Sequence, residues 1–132
     1  MALELRGLAP LLQVFDMPTS LHFYRDLLGF EVVSRSTAGD DCGWALLRLN
    51  GLELMLNTAY ETGKRPAAPD PARIAAHADT ALFFGCPDVE KAYTELHATG
   101  IDVQKPVVRD YGMKQLSVFD PDGFELCFQW RA

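Results

Sequence analysis

Val118-Phe119-Asp120-Pro121-Asp122-Gly123-Phe124-Glu125-Leu126-Cys127-Phe128-Gln129-Trp130 reads as a β-hairpin: two alternating apolar arms flank Asp-Pro-Asp-Gly. Proline presets φ for the first corner of a turn, and glycine accepts the positive φ at its exit. In the second arm Phe124, Leu126, Phe128 and Trp130 share one face, while Glu125, Cys127 and Gln129 share the other. The first set belongs to a core. The second faces more polar surroundings.

Working back from this hairpin, Lys114 to Phe119 forms its first arm and Val103 to Val107 a preceding strand. Val89 to Ala98 is a helix, with Val89, Ala92, Tyr93 and Leu96 at helical spacing, and Ala81 to Gly85 is a strand before it. The same order occurs earlier in the chain. Leu8 to Phe15 reads as a strand, with Pro10 tolerated near its start. Pro18 to Leu28 reads as an amphipathic helix carrying Leu21, Tyr24, Leu27 and Leu28, capped by Thr19 or Ser20 and stopped by Gly29. Phe30 to Ser34 and Gly43 to Leu49 are strands around a polar Ser36 to Asp41 loop, and Asn50-Gly51 turns the chain into Leu52 to Asn57. Placing Gly29 on Gly100, an offset of 71, superimposes Leu12 on Phe83, Phe30 on Ile101 and Val32 on Val103. The sequence therefore predicts an α+β domain spanning residues 1–132 and built from two βαβββ modules. They cover about 8–58 and 80–131, joined by a Pro-rich linker over 59–79 with one helical turn near Ala72 to Ala76.

Composition narrows the function. The 132-residue chain is 48% hydrophobic and 23% charged, ordinary for a soluble domain with a core. Its net charge of -6 and pI near 4.9 argue against a nucleic-acid partner and suit a cationic small ligand. No apolar run reaches about 18 residues, and Met1 to Gly7 lacks the apolar stretch of a signal peptide, so neither a membrane nor secretion is expected. Cys42, Cys86 and Cys127, spaced by 44 and 41, fit neither a disulfide framework nor a metal knuckle; a reducing cytoplasm is the expected location.

Several motifs together resemble the vicinal oxygen chelate superfamily, which holds glyoxalase I, bleomycin resistance proteins, fosfomycin resistance enzymes and extradiol dioxygenases. They are Val14-Phe15-Asp16 leading to Ser20-Leu21-His22-Phe23-Tyr24-Arg25-Asp26-Leu27-Leu28-Gly29-Phe30, Cys86-Pro87-Asp88-Val89 leading to Gly100-Ile101, and Phe119-Asp120-Pro121-Asp122-Gly123-Phe124. The resemblance covers essentially the whole chain. It implies paired βαβββ modules whose sheets curve into an open barrel around a cavity, usually completed by a homodimer.

In metal-dependent relatives each module supplies one ligand from its first strand and one from its last. Matched onto this chain, those positions are Ala9, Glu53, Ala81 and Cys127. Two alanines, a carboxylate and a thiol do not make a site for a divalent ion, so no metal and no other cofactor is expected. His22 and His97 lie on helices and His77 in the linker, away from the strands that form the site.

Alternation then predicts which side chains share the cavity face. Gln13, Trp44, Arg48, Glu53, Met55, Phe83, Gln115, Phe119 and Cys127 are candidate ligand-binding residues by this alternation, and Tyr111, in a loop before the last hairpin, joins them at the mouth, giving aromatic walls and a few directional polar groups. Arg48 and Glu53 have a second reading as a cross-strand pair, and Trp44 and Phe119 as dimer or packing contacts. Cys127, with no histidine beside it, reads as an inert buried thiol. Glu53, if desolvated, is the one candidate general base. The expectation is a cytoplasmic, homodimeric binding protein that resembles bleomycin resistance proteins and sequesters an aromatic or cationic organic compound. The alternatives are a metal-dependent lyase, isomerase or dioxygenase of the same superfamily, and a ligand-free structural or regulatory domain.

Overall fold

A computed structural model describes residues 2–60 and 63–132. Met1, and residues 61 and 62 of the expected linker, lie outside the described residues. The chain forms two compact units, Met1–Pro66 and Ala67–Ala132, divided within the expected linker.

The first unit runs β1 (Leu11–Gln13), α1 (Met17–Leu21), a π-helical continuation (His22–Leu27), β2 (Glu31–Arg35), β3 (Trp44–Leu49) and β4 (Leu52–Asn57). Its four strands are ordered β1-β4-β3-β2, with β1 parallel to β4 and the other pairs antiparallel. Asp16, rather than Thr19 or Ser20, caps α1, its carboxylate accepting from the Thr19 N–H at 3.4 Å. The helix then widens, Leu28 N–H donating to the Phe23 carbonyl five residues back at 3.0 Å. That wider turn keeps consecutive Phe23 and Tyr24 both buried, with Tyr24 packed edge-on against Phe30. Regular β1 is shorter than Leu8 to Phe15. Pro10 has no N–H to give, and Asp16 already begins the helix, although Pro10 O and Val14 N still extend the ladder at 2.8 Å each. Asn50 and Gly51, at φ 50° and 81°, make the tight β3–β4 turn.

The second unit repeats that plan. After α2 (Pro71–Ala76) and a 3₁₀ turn (His77–Asp79) come β5 (Ala81–Gly85), α3 (Val89–Ala98), β6 (Val107–Val108), β7 (Met113–Phe119) and β8 (Glu125–Arg131). The sheet order β5-β8-β7-β6, with β5 parallel to β8, reproduces that of the first unit. One boundary is corrected: β6 occupies Val107–Val108, not Val103 to Val107. Pro106 cannot donate to a ladder, so pairing with β7 begins only beyond it.

The Asp-Pro-Asp-Gly turn is held from inside. Asp120 Oδ1 accepts from the N–H groups of Asp122 and Phe124, both at 2.9 Å, and Asp120 O accepts from Gly123 N–H at 3.1 Å. The linker segment packs on this turn. His77 Nδ1–H donates to the Asp122 carbonyl at 2.6 Å, and its ring stacks on Phe124 with centroids 3.9 Å apart.

Cross-strand register separates the two faces of each sheet. In unit 1, Leu12, Ala45, Leu47, Leu54 and Leu56 lie on one face and are buried, together with Met17, Leu21 and Tyr24 of the helix. In unit 2 the corresponding face carries Leu82, Leu116, Val118, Leu126, Phe84 and Phe128, the last two rings stacked at 5.2 Å.

Candidate functional site

The opposite faces hold the sequence-predicted residues, each within its own unit. In unit 1 the register aligns Gln13, Asn57 and Trp44 in one row, Leu11, Met55 and Leu46 in the next, and Glu53 opposite Arg48 in a third. Apart from exposed Leu11 and Arg48, these side chains are half-buried. Asn57 Nδ2 donates to Gln13 Oε1 at 3.2 Å. Arg48 Nη2 donates to Glu53 Oε2 at 2.8 Å, so the cross-strand pairing forms. With these side chains 48% and 37% exposed, solvent screens that pair heavily.

In unit 2 the rows are Ala81–Glu125–Phe119, Phe83–Cys127–Ser117 and Gly85–Gln129–Gln115. Phe83 and Phe119 are 56% and 62% exposed, large rings left in contact with water. Around them the polar groups are paired. Ser117 Oγ donates to Glu125 Oε2 at 3.1 Å, Arg109 Nε donates to Gln115 Oε1 at 3.1 Å, and Gln115 Nε2 donates to Gln129 Oε1 at 2.9 Å. Gln115 is nearly buried. Tyr111 stands exposed in the turn that Gly112 N–H closes onto the Arg109 carbonyl at 3.0 Å. A cleft of about 330 Å³ in this unit lies at the start of α3, bounded by Asp88, Trp130 and Arg131, and the Trp130 ring reaches to the Gly85 end of the last row.

Cys127 is 1% exposed, and burial pushes its thiol up from the ordinary range, opposed by a smaller effect of the Ser117 hydroxyl. It is a neutral thiol at physiological pH, not a thiolate nucleophile. Cys42 and Cys86 are raised by burial too, and all three thiols are free.

The positions that hold a metal in related proteins can be tested on their donors. Ala9 and Ala81 offer none, Glu53 is engaged by Arg48, and Cys127 is a buried protonated thiol. Among the described residues no three His, Cys, Asp or Glu side chains come together as an ion would need. The donor set does not fit a divalent metal.

Arg109, Gln129, Asn57 and Glu125 join the candidate faces without having been singled out as ligand-binding. Asn57, Glu125 and Gln129 were readable from alternation alone. Arg109 was hidden by the expected β6 boundary: with β6 at Val107–Val108, it follows Val107 by two residues and falls on the same face.

Residues 8–128 match the Glyoxalase family, described as the Glyoxalase/Bleomycin resistance protein/Dioxygenase superfamily. No curated protein sequence matches the chain significantly. Among solved structures, the chain is similar to TioX from Micromonospora sp. ML1 at 19% identity and a TM-score of 0.74, covering 96% of this chain and 99% of that one. It is similar to a bleomycin-binding protein solved in complex with bleomycin at 20% identity and a TM-score of 0.73, covering 97% and 100%. SMU.1112c is 27% identical with a TM-score of 0.71, covering 98% and 100%.

Proposed function

We propose a function from the premise that this chain belongs to the Glyoxalase/Bleomycin resistance protein/Dioxygenase superfamily: it is a metal-free binding protein that sequesters an aromatic or cationic organic compound, of the drug-sequestering kind. It works as a homodimer in the cytoplasm. The observation that carries the reading is the mixed face of unit 2, where Phe83 and Phe119 stand exposed among polar groups already oriented by hydrogen bonds. Burying two such rings against a ligand is favourable, and pre-oriented polar groups lose little entropy when they engage it. The candidate contacts are Gln13, Trp44, Arg48, Glu53 and Met55 in unit 1, and Phe83, Tyr111, Gln115, Phe119 and Cys127 in unit 2. Two alanines at the ligand positions favour binding over metal chemistry.

A bleomycin-binding neighbour with the same fold supports a small-molecule ligand in general terms. No helix among the described residues is long and apolar enough to cross a membrane. The test combines metal analysis of the purified protein with a thermal-shift screen of organic compounds, bleomycin included. A ligand present at 100 times its Kd adds about 2.7 kcal/mol to the folded state and raises Tm. Stoichiometric tightly bound Ni²⁺, Zn²⁺, Mn²⁺ or Fe²⁺ would overturn the proposal and favour a metal-dependent lyase, isomerase or dioxygenase. No shift with any compound would favour a ligand-free structural domain.

A further inference from the structure

We infer that unit 2 binds an organic ammonium ion at Glu125, with the exposed rings of Phe119 and Phe83 as its walls. This rests on the proposal that the mixed face binds an organic compound, and it names the charge selected and the residue that selects it.

The two units set the same carboxylate beside different neighbours. Leu11 and Phe83 each stand five residues before the aspartate that caps their helix, and their partners on the parallel last strand are Met55 and Cys127. Glu53 and Glu125, two residues before those partners, therefore occupy one position in the repeat, on the mixed face. The antiparallel neighbour of that position is Arg48 in unit 1 and Phe119 in unit 2. Arg48 donates to Glu53 at 2.8 Å. Phe119 has nothing to donate to Glu125, and no cation among the described residues pairs with it, although Glu90 and Glu95 of the same unit meet Lys114 and Lys91. A ligand cation can stand where unit 1 has its guanidinium.

The surroundings of Glu125 fit such a cation. The residue is half-buried, and its one partner among the described residues is the Ser117 hydroxyl, which donates to Oε2 at 3.1 Å and leaves Oε1 to accept from a ligand. Ser117 belongs to the row that begins with Phe83, so this bond inclines the carboxylate toward the middle of the face. Phe119 lies directly opposite Glu125, where Cβ atoms of a cross-strand pair are about 4.5–5.5 Å apart, and Phe83 lies one row along on the other flanking strand. Both rings are exposed. Ala81, which completes the Glu125 row, is exposed and too small to fill the space between them. An aromatic ring offers its negative face to a cation, and the adjacent carboxylate supplies the counter-charge. Arg109, also on this face, donates to Gln115 in the third row, which is four residues along the sheet from Glu125, about 13 Å in extended strands.

The experiment titrates 2-naphthylmethylammonium, 2-naphthylmethanol and 2-naphthoate into the 132-residue protein by calorimetry, giving one ring with a positive, a neutral and a negative end group. The ammonium is expected to bind about tenfold tighter than the alcohol, and naphthoate more weakly than either. Glu125→Gln keeps an acceptor for Ser117 and removes the charge, so the ammonium should lose about tenfold while the alcohol binds as before. Phe119→Arg copies the pair of unit 1 onto unit 2. Its guanidinium should meet Glu125, and the advantage of ammonium over alcohol should vanish. Asp102→Asn removes the same charge from an exposed position elsewhere in unit 2 and should leave all three affinities unchanged. Equal binding of ammonium and alcohol would overturn the inference while leaving the binding function standing. So would an ammonium preference that survives Glu125→Gln or Phe119→Arg, or one that falls as far in Asp102→Asn. Absence of binding by all three compounds would also overturn it, and the binding function falls with it only if the wider compound screen gives no shift.

Discussion

Gly123 shows how one residue can commit a turn. Its φ of +84° lies in the left-handed region, and a Cβ placed there would come within 3.1 Å of Ile74 Cγ2 and 3.2 Å of the Ile74 carbonyl oxygen. Gly123→Ala therefore suffers twice, from backbone strain and from contact with α2. We expect a loss of about 1–2 kcal/mol, read as a lower urea midpoint at unchanged slope. The thiols give a second prediction at this scale. Cys42 and Cys127 are buried and Cys86 half-buried, so an aromatic disulfide reagent should modify Cys86 first in the native protein. Rapid modification of Cys127 would contradict the neutral, enclosed thiol described above.

Among the elements, α2 covers the helical turn expected near Ala72 to Ala76 and does more than join the modules. Asp70 caps it through the Ala72 N–H at 3.0 Å, and its C-terminal His77 holds the β7–β8 turn by a hydrogen bond and a stacked ring. His77→Ala should release this segment without unfolding the sheet, so that limited proteolysis cuts between residues 67 and 79 several times faster while Tm falls little. The helix of unit 1 is tied down electrostatically instead. Arg25 hydrogen-bonds Asp26 and, in the loop before β3, Asp40 at 2.9 Å. The Arg25 guanidinium, helped by His22, brings Asp26 down to about 2, and Arg25 also lowers Asp40. Both carboxyls titrate lower when folded than the value near 3.9 of an unfolded chain. Their stabilisation is therefore present above about pH 4 and is lost as pH falls toward 2. With these side chains 43% and 42% exposed the effect is small and salt-sensitive. Between pH 5 and 2, Tm should fall further in the wild type than in Arg25→Met.

For the whole molecule, the repeat is the organising fact. Both units carry a first strand parallel to the last, a helix between first and second strands, and a closing antiparallel pair. Each sheet turns one face largely to core and leaves the other chemically mixed, which frees that second face to vary with function. If the proposed homodimer forms, sedimentation should give twice the 14.7 kDa chain mass, and a ligand that raises Tm should leave that mass unchanged. A mass of one chain at micromolar concentration would refute the dimer.

Much of this was legible in the chain itself. Period-two alternation, Asn50-Gly51, Asp120-Pro121-Asp122-Gly123 and the offset of 71 determined most of the strands, the turns and the repeat, because these signals are local and backbone sterics answer them directly, whereas the bounds of β1 and β6 were set by prolines and by pairing. Alternation likewise separated the core face from the mixed face, since a strand cannot turn one side chain over without turning them all. Tertiary structure alone decided what the polar groups on the mixed face do. That Arg48 meets Glu53 and that Arg109 donates to Gln115 and Gln115 to Gln129 depend on hydrogen bonds between side chains, and the His77–Phe124 stack goes with a hydrogen bond from His77 to a backbone carbonyl. Such bonds are directional and short-ranged, and whether they form is set by a few ångströms of backbone placement that no local pattern encodes.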